Sequence, residues 1–139
     1  MSARLGVCLM KGCIVIADDD STIVNLVRLR LGVARYDVLA ARDAKEAVAL
    51  ARNCAPAAMI LDVQMPGCGL NALAEIKADP QLCSLPVMIL TGERSAETVM
   101  QAMNRGADDY IVKPFHPDRL AERVSRLVSK AKSTATWEI

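Results

Sequence analysis

The sequence predicts an α/β fold: a five-stranded parallel sheet, doubly wound by helices as five successive βα units. Three observations predict it. Five short apolar runs recur along the chain. Longer segments with apolar residues at helical spacing separate them. The polar residues that carry chemistry gather just past the ends of the runs. Runs that are apolar throughout fit strands buried on both faces, which is the habit of parallel sheets.

The elements follow in order. CIVIA (13–17) is the first strand, and STIVNLVRLRL (21–31) repeats apolar residues at Ile23, Val27 and Leu31, a helical period. DVLAA (37–41) is a second, weaker strand. DAKEAVALARN (43–53) opens with Asp43 and places Glu46 three residues on, a capping-box pattern. AAMIL (57–61) is the third strand, behind Pro56. LNALAEIKA (70–78) is a helix that stops before Pro80. PVMIL (86–90) is the fourth strand. SAETVMQAMNR (95–105) is a helix with Ser95 as N-cap and Gly106 as its stop. DYIV (109–112) is the fifth strand, and PDRLAERVSRLVSKA (117–131) is the last helix, with Pro117 in its first turn. Residues 1–12 are expected to be an N-terminal extension, 13–131 the domain, and 132–139, STATWEI with the lysine before it, an aperiodic tail.

Bulk properties narrow the function. The 139 residues suffice for one domain with a real core. A net charge of +1 gives no global pull toward nucleic acid or anionic membrane, so neither is expected as a direct partner. Five cysteines (Cys8, Cys13, Cys54, Cys68, Cys83) include no C-x-x-C, and with His116 as the one histidine a Cys/His zinc site has little to work with. Three of the cysteines lie in or beside apolar stretches and are expected to behave as small core residues in a reducing, cytoplasmic setting. Met88, Met100 and Met103 are expected in packing roles, and His116 in a loop. No segment is long and apolar enough to span a bilayer or serve as a secretion signal.

The first strand ends in three consecutive aspartates, Asp18, Asp19 and Asp20. Two like charges about 4 Å apart repel by roughly 4 kcal/mol at an effective dielectric near 20, so something must offset them. Asp20 has its own answer as the N-cap of the next helix. For Asp18 and Asp19 the candidates are a cation, a helix N-terminus or plain solvent. Asp62 ends the third strand, Thr91 follows the fourth, and Lys113 follows the fifth, just before Pro114. A doubly wound sheet brings all of these to its carboxyl edge. Clustered carboxylates suit Mg²⁺ or Mn²⁺. A divalent cation, an ammonium and a hydroxyl around a free carboxylate are equipped to hold a phosphoryl group, and the carboxylate can itself be the nucleophile.

VIADDD, MILDVQMPG, VMILTG and GADDYIVKPF together resemble the receiver domain of bacterial two-component response regulators, in order and at family spacing from about Cys13 to Lys130. The resemblance implies a flavodoxin-like receiver fold with Asp62 as phosphoacceptor, fed by a histidine kinase or histidine phosphotransferase. It implies that Asp18, Asp19, Asp62 and the backbone carbonyl of Gln64 hold Mg²⁺, and that Lys113 binds the phosphoryl group. Thr91 and Tyr110 match the switch pair, Gln64 and Glu93 the positions that tune dephosphorylation, and Lys113-Pro114 a bond that is typically cis. A phosphorylation switch then reshapes the face formed by the fourth helix, fifth strand and fifth helix. The last blocks resemble receivers of winged-helix transcription factors, in which Asp109 and Arg123 match residues that pair across a dimer; Arg119 stands where an acid is common. The family usually continues Met-Pro-x-Met-Asp-Gly, whereas here Gly69-Leu70 replaces the usual Asp-Gly, so the turn glycine is missing from its position and Gly67 and Gly69 supply flexibility nearby. No output domain follows Lys130 in the sequence, so the chain is expected to be a stand-alone receiver or a piece of a longer regulator.

Two other readings stand beside this one. A receiver-like module could signal by binding without phosphorylation. DDDST (18–22) also fits the first motif of haloacid-dehalogenase-type phosphatases, with Asp18 as nucleophile and Asp20 as general acid. That reading leaves Asp62 unexplained, and Asp108-Asp109 precede Lys113 where an acidic pair should follow it.

Overall fold

The computed structural model describes residues 11–92 and 96–137, with side-chain surroundings through residue 131. Its elements are β1 (Cys13–Ala17), α1 (Ser21–Val33), β2 (Asp37–Ala41), α2 (Ala44–Cys54), β3 (Ala58–Asp62), α3 (Gly69–Ala78), β4 (Val87–Thr91), α4 (Ala96–Asn104), β5 (Asp109–Val112) and α5 (Pro117–Trp137). All five strands are parallel in one sheet of order β2-β1-β3-β4-β5. The expected doubly wound fold is present.

Strand alternation sorts the core into two layers. Ile14, Ile16, Ile60, Met88 and Leu90 point to one face and pack with Val27 and Leu31 of α1 and Leu120 and Val124 of α5. Val15, Met59, Leu61, Val87 and Ile89 point to the other and pack with Ala47, Val48 and Ala51 of α2, Leu73 and Ile76 of α3 and Ala102 of α4. Burying a Leu or Ile side chain stabilises the fold by about 1.5–3 kcal/mol, so these layers hold the sheet rigid beneath its carboxyl edge.

Helix starts obey local rules. Asp20 caps α1 by accepting the Thr22 amide at 2.9 Å. Asp43 caps α2 by accepting the Glu46 amide at 2.8 Å, and the Glu46 carboxylate accepts the Arg42 amide in return. The Ser95 cap and Glu93 fall outside the described residues. Gly106, at φ 102°, follows the end of α4, and the Ala107 amide returns to the Ala102 carbonyl.

Several expectations shift. Thr91 lies inside β4 as its last residue rather than past its end, while Asp62 ends β3 as expected. α5 continues as helix to Trp137, six residues beyond Ala131, through the segment expected to be an aperiodic tail. Met88 is buried, but Met100 and Met103 are exposed, because among the described residues of α4 only Ala102 is buried. None of the four described cysteines is fully buried: Cys13 and Cys68 are half-buried, with Cys68 packed against the core, Cys54 and Cys83 are exposed, and Cys8 lies outside the described residues.

Candidate functional site

Among the described residues three polar side chains are buried in the apolar core, and all three are at the carboxyl edge: Asp18, Asp62 and Thr91. Each is held by the strand ladder or its continuation. The Asp18 amide donates to the Ala41 carbonyl at 3.0 Å, Asp62 sits opposite Leu90, and Thr91 sits opposite Val112. Lys113 follows β5, its amide donating to the Thr91 carbonyl at 2.7 Å, and the Lys113-Pro114 bond is cis.

The side chains converge. Oxygens of Asp18, Asp19 and Asp62 lie within 4.8 Å of one another, with Asp19 exposed. Lys113 Nζ is 2.9 Å from Asp18 Oδ2 and 3.2 Å from Asp62 Oδ2, donating a hydrogen bond to the latter. The other carboxylate oxygens are oriented by backbone amides: Asp20 N–H donates to Asp18 Oδ1 at 2.9 Å, and Gln64 N–H to Asp62 Oδ1 at 3.1 Å.

The charges do not balance. Burial pushes the Asp62 carboxyl above the usual carboxylate range; the Gln64 amide opposes this, the Asp18 charge adds to it, and Lys113 opposes it. For Lys113, burial pulls the ammonium down, but Asp18 and Asp62 outweigh it and hold the group above the usual lysine value. One ammonium therefore serves two buried carboxylates and leaves Asp19 outside the pairing. Asp18 Oδ2 is buried and, despite the nearby ammonium, has no aligned hydrogen-bond donor. Three clustered carboxylates with a single ammonium among them fit a small divalent cation.

In the loop after Asp62, Leu70 stands at the usual glycine position, and the neighbouring Gly69 makes the close contact. A Cβ on Gly69 would sit 2.0 Å from the Asp62 carbonyl oxygen and 3.1 Å from Val63 Cα, and the Gly69 amide donates to the Val63 carbonyl at 3.1 Å. Cys68 carries the turn at φ 65°, ψ 122°, and caps α3 with no side-chain hydrogen bond. The loop is tied sideways, with the Pro66 carbonyl accepting the Ala44 amide at the start of α2.

Other sequence-predicted residues lie farther out. Tyr110 is 37% exposed, with its ring on the surface of β5. Arg123 pairs with Asp109 at 3.4 Å and donates to the Tyr110 carbonyl within the same chain, so the two residues expected to meet across a dimer meet here within one chain. Asp20 is exposed and engaged as the α1 cap, and Asp62 occupies the cluster; neither position favours the phosphatase reading.

Comparison with known proteins agrees with this geometry. The family described as the response regulator receiver domain matches residues 14–125. The chain is 33% identical over 129 residues to a probable transcriptional regulator, ycf27, of Porphyridium aerugineum, covering 90% of this chain and 52% of that protein. It is 34% identical over 118 residues to the DNA-binding dual master transcriptional regulator RpaA of a Synechocystis strain, covering 84% and 49%. The chain thus spans about half the length of the curated relatives it matches. Among solved structures, NtrX from Brucella abortus superposes with a TM-score of 0.85 at 34% identity, covering 93% of this chain and 29% of that one. A putative response regulator from Chloroflexus aurantiacus superposes at 0.81 and 31% identity, covering 85% and 98%. No described helix is long and apolar enough to cross a membrane. A parallel sheet of this order, an acidic cluster at its carboxyl edge and a match over most of the chain lead to one assignment: the chain belongs to the response regulator receiver family, as the receiver domain of a two-component response regulator.

Proposed function

We propose that this receiver is a Mg²⁺-dependent phosphorylation switch with Asp62 as its acceptor. The observation that carries the reading is the meeting of Asp18, Asp19 and Asp62 oxygens within 4.8 Å, with Lys113 Nζ 3.2 Å from Asp62. Asp18, Asp19, Asp62 and the Gln64 carbonyl would hold the Mg²⁺, or Mn²⁺. When bound, the cation supplies charge neutralisation for the carboxylates and for the incoming phosphoryl oxygens.

A histidine kinase or histidine phosphotransferase presents a phosphohistidine. An Asp62 carboxylate oxygen attacks phosphorus, the new O–P bond forms as the N–P bond breaks, and the donor imidazole leaves with the electron pair. The acceptor is preorganised, because the Gln64 amide fixes one oxygen and Lys113 the other. Lys113 then moves its charge to the phosphoryl group, and Thr91 supplies a hydroxyl. Thr91 is buried and Tyr110 exposed, so an inward shift of Thr91 opens space that the Tyr110 ring can fill. The equilibrium moves only as far as the phosphoryl group contacts the two states differently. Gln64 and Glu93 tune the lifetime of the acyl phosphate through the hydrolytic water.

The rearranged face of α4, β5 and α5 engages a downstream protein, and a phosphorylated homodimer through Asp109 and Arg123 requires their in-chain pair to open. The setting is bacterial and cytoplasmic. The test is intact-mass spectrometry after incubation with acetyl phosphate and Mg²⁺. One phosphoryl adduct is expected on the native chain and none on Asp62→Asn or in EDTA. A folded native chain that binds Mg²⁺ and takes no adduct would overturn the reading in favour of a module that signals by binding alone. Gel filtration with a phosphoryl mimic tests the dimer, and an unchanged elution volume sinks it.

A further inference from the structure

The amino edge of the sheet, opposite the acidic cluster, carries Cys13 at the start of β1 and Cys54 at the end of α2. Cys13 is the first residue of β1. Alternation places it on the face of Val15 and Ala17, which is the face covered by α2. On α2 the buried stripe runs Ala44, Ala47, Val48 and Ala51. Three residues further along that stripe is Cys54, the last residue of the helix, where it overhangs the sheet edge and is exposed. The chain then reverses sharply. Ala55 takes φ 44°, and three residues after Cys54 the Ala57 amide donates to the Cys13 carbonyl at 2.7 Å. The backbone thus returns to Cys13 within one turn of leaving Cys54. The Cys13 thiol is pushed up by burial first, then by the Asp37 carboxylate and by Cys54.

The geometry points to Cys13 and Cys54 as a dithiol pair that closes to a disulfide under oxidation, tying the end of α2 to the start of β1. The exposed Cys54 reacts first. Its thiolate attacks one sulfur of a low-molecular-weight disulfide such as oxidised glutathione, forming a mixed disulfide and releasing one glutathione thiolate. Cys13 then loses its proton to solvent and attacks the Cys54 sulfur, which releases the second glutathione thiolate. Two protein thiols are oxidised and one glutathione disulfide is reduced to two thiols. Cys13 is the resolving thiol because it is half-buried and held largely protonated, whereas Cys54 meets solvent. The inference does not rest on phosphorylation of Asp62, which lies at the opposite edge of the sheet.

The test uses the full, folded, unsubstituted chain. It is incubated with oxidised glutathione, quenched by alkylation and mapped by peptide mass spectrometry. The expected result is one cross-linked peptide joining Cys13 and Cys54, with two hydrogens lost from the intact mass, and a melting temperature that rises and falls back on adding dithiothreitol. Cys13→Ser is expected to stop at a stable glutathione adduct on Cys54, and Cys54→Ser to form no cross-link to Cys13. Glutathione persisting on Cys54 of the native chain beside a free Cys13 overturns the proposal. So does a bridge to any other cysteine, or one that appears only after denaturation.

Discussion

Gly69 lies against the peptide of Asp62 so closely that a Cβ there would meet the Asp62 carbonyl oxygen at 2.0 Å. The contact is with backbone on both sides, so no side chain can rotate away to relieve it. Gly69→Ala is expected to destabilise the fold by about 2–4 kcal/mol, as overpacking of a rigid contact does. It also displaces Asp62 itself, so the surviving folded protein should take up phosphoryl groups from acetyl phosphate at least tenfold more slowly. Urea denaturation and timed intact-mass measurements read the two effects separately.

The neighbouring Cys68 is in a backbone region suited to glycine, at φ 65° and ψ 122°. Cys68→Gly is expected to stabilise the protein by about 1 kcal/mol, the strain relieved exceeding the small packing and the chain entropy lost. A midpoint in urea that falls below that of the parent chain would falsify this reading of the turn.

Lys113 is the only ammonium or guanidinium in ion-pair contact with Asp18 and Asp62 among the described residues. Lys113→Met leaves two buried carboxylates together. Breaking a fully buried pair costs about 3–5 kcal/mol, and the partial exposure of Lys113 lowers the expected loss to about 1–3 kcal/mol. Added Mg²⁺ should restore more stability to Lys113→Met than to the parent. Thermal melts with and without Mg²⁺ measure the difference.

Asp62 gives a pH signature. Its carboxyl is held above the usual range in the folded state, chiefly by burial. A raised carboxyl favours folding when protonated. Its contribution is present below the unfolded carboxylate pKa, near ~3.9, and is lost as pH rises through the folded value. Metal-free Asp62→Asn is therefore expected to be more stable than the parent at pH 7, by more than the roughly 0.5 kcal/mol scatter of surface substitutions. The gap should close as the pH falls below the unfolded carboxylate value. Melting curves in EDTA across that range check the sign.

The acidic site was legible in the sequence because a charged residue ending an apolar run has few ways to exist. Asp18 at the end of β1, Asp62 at the end of β3 and Lys113 after β5 carry that contradiction openly, and parallel topology brings them to one edge. The turn was not legible. A pattern of residue types does not show which glycine lies against the backbone, and the close contact falls at Gly69, beside the position that Leu70 occupies. The last turns of α5 gave no signal either: STATWEI has no apolar stripe, and helix there continues one that is already nucleated, which costs far less than starting afresh. Asp109 and Arg123 were legible as partners but not as partners within one chain, since a pattern of residue types carries no symmetry operator.

The placement of Asp62 and Thr91 inside strands, rather than in the loops beyond them, bears on how the domain opens. β3 is paired on both sides, by β1 and β4, and the ladder continues past its end through the Val63 amide to the Leu90 carbonyl. Asp62 thus lies at the centre of the sheet, where amide protons are expected to exchange near the global unfolding limit. The edge strands and the end of α5 belong to units that open sooner. Proteolytic nicking or fraying at those margins would leave the phosphoryl chemistry standing on an intact centre, and a signal would be lost at its readout before it is lost at its reception.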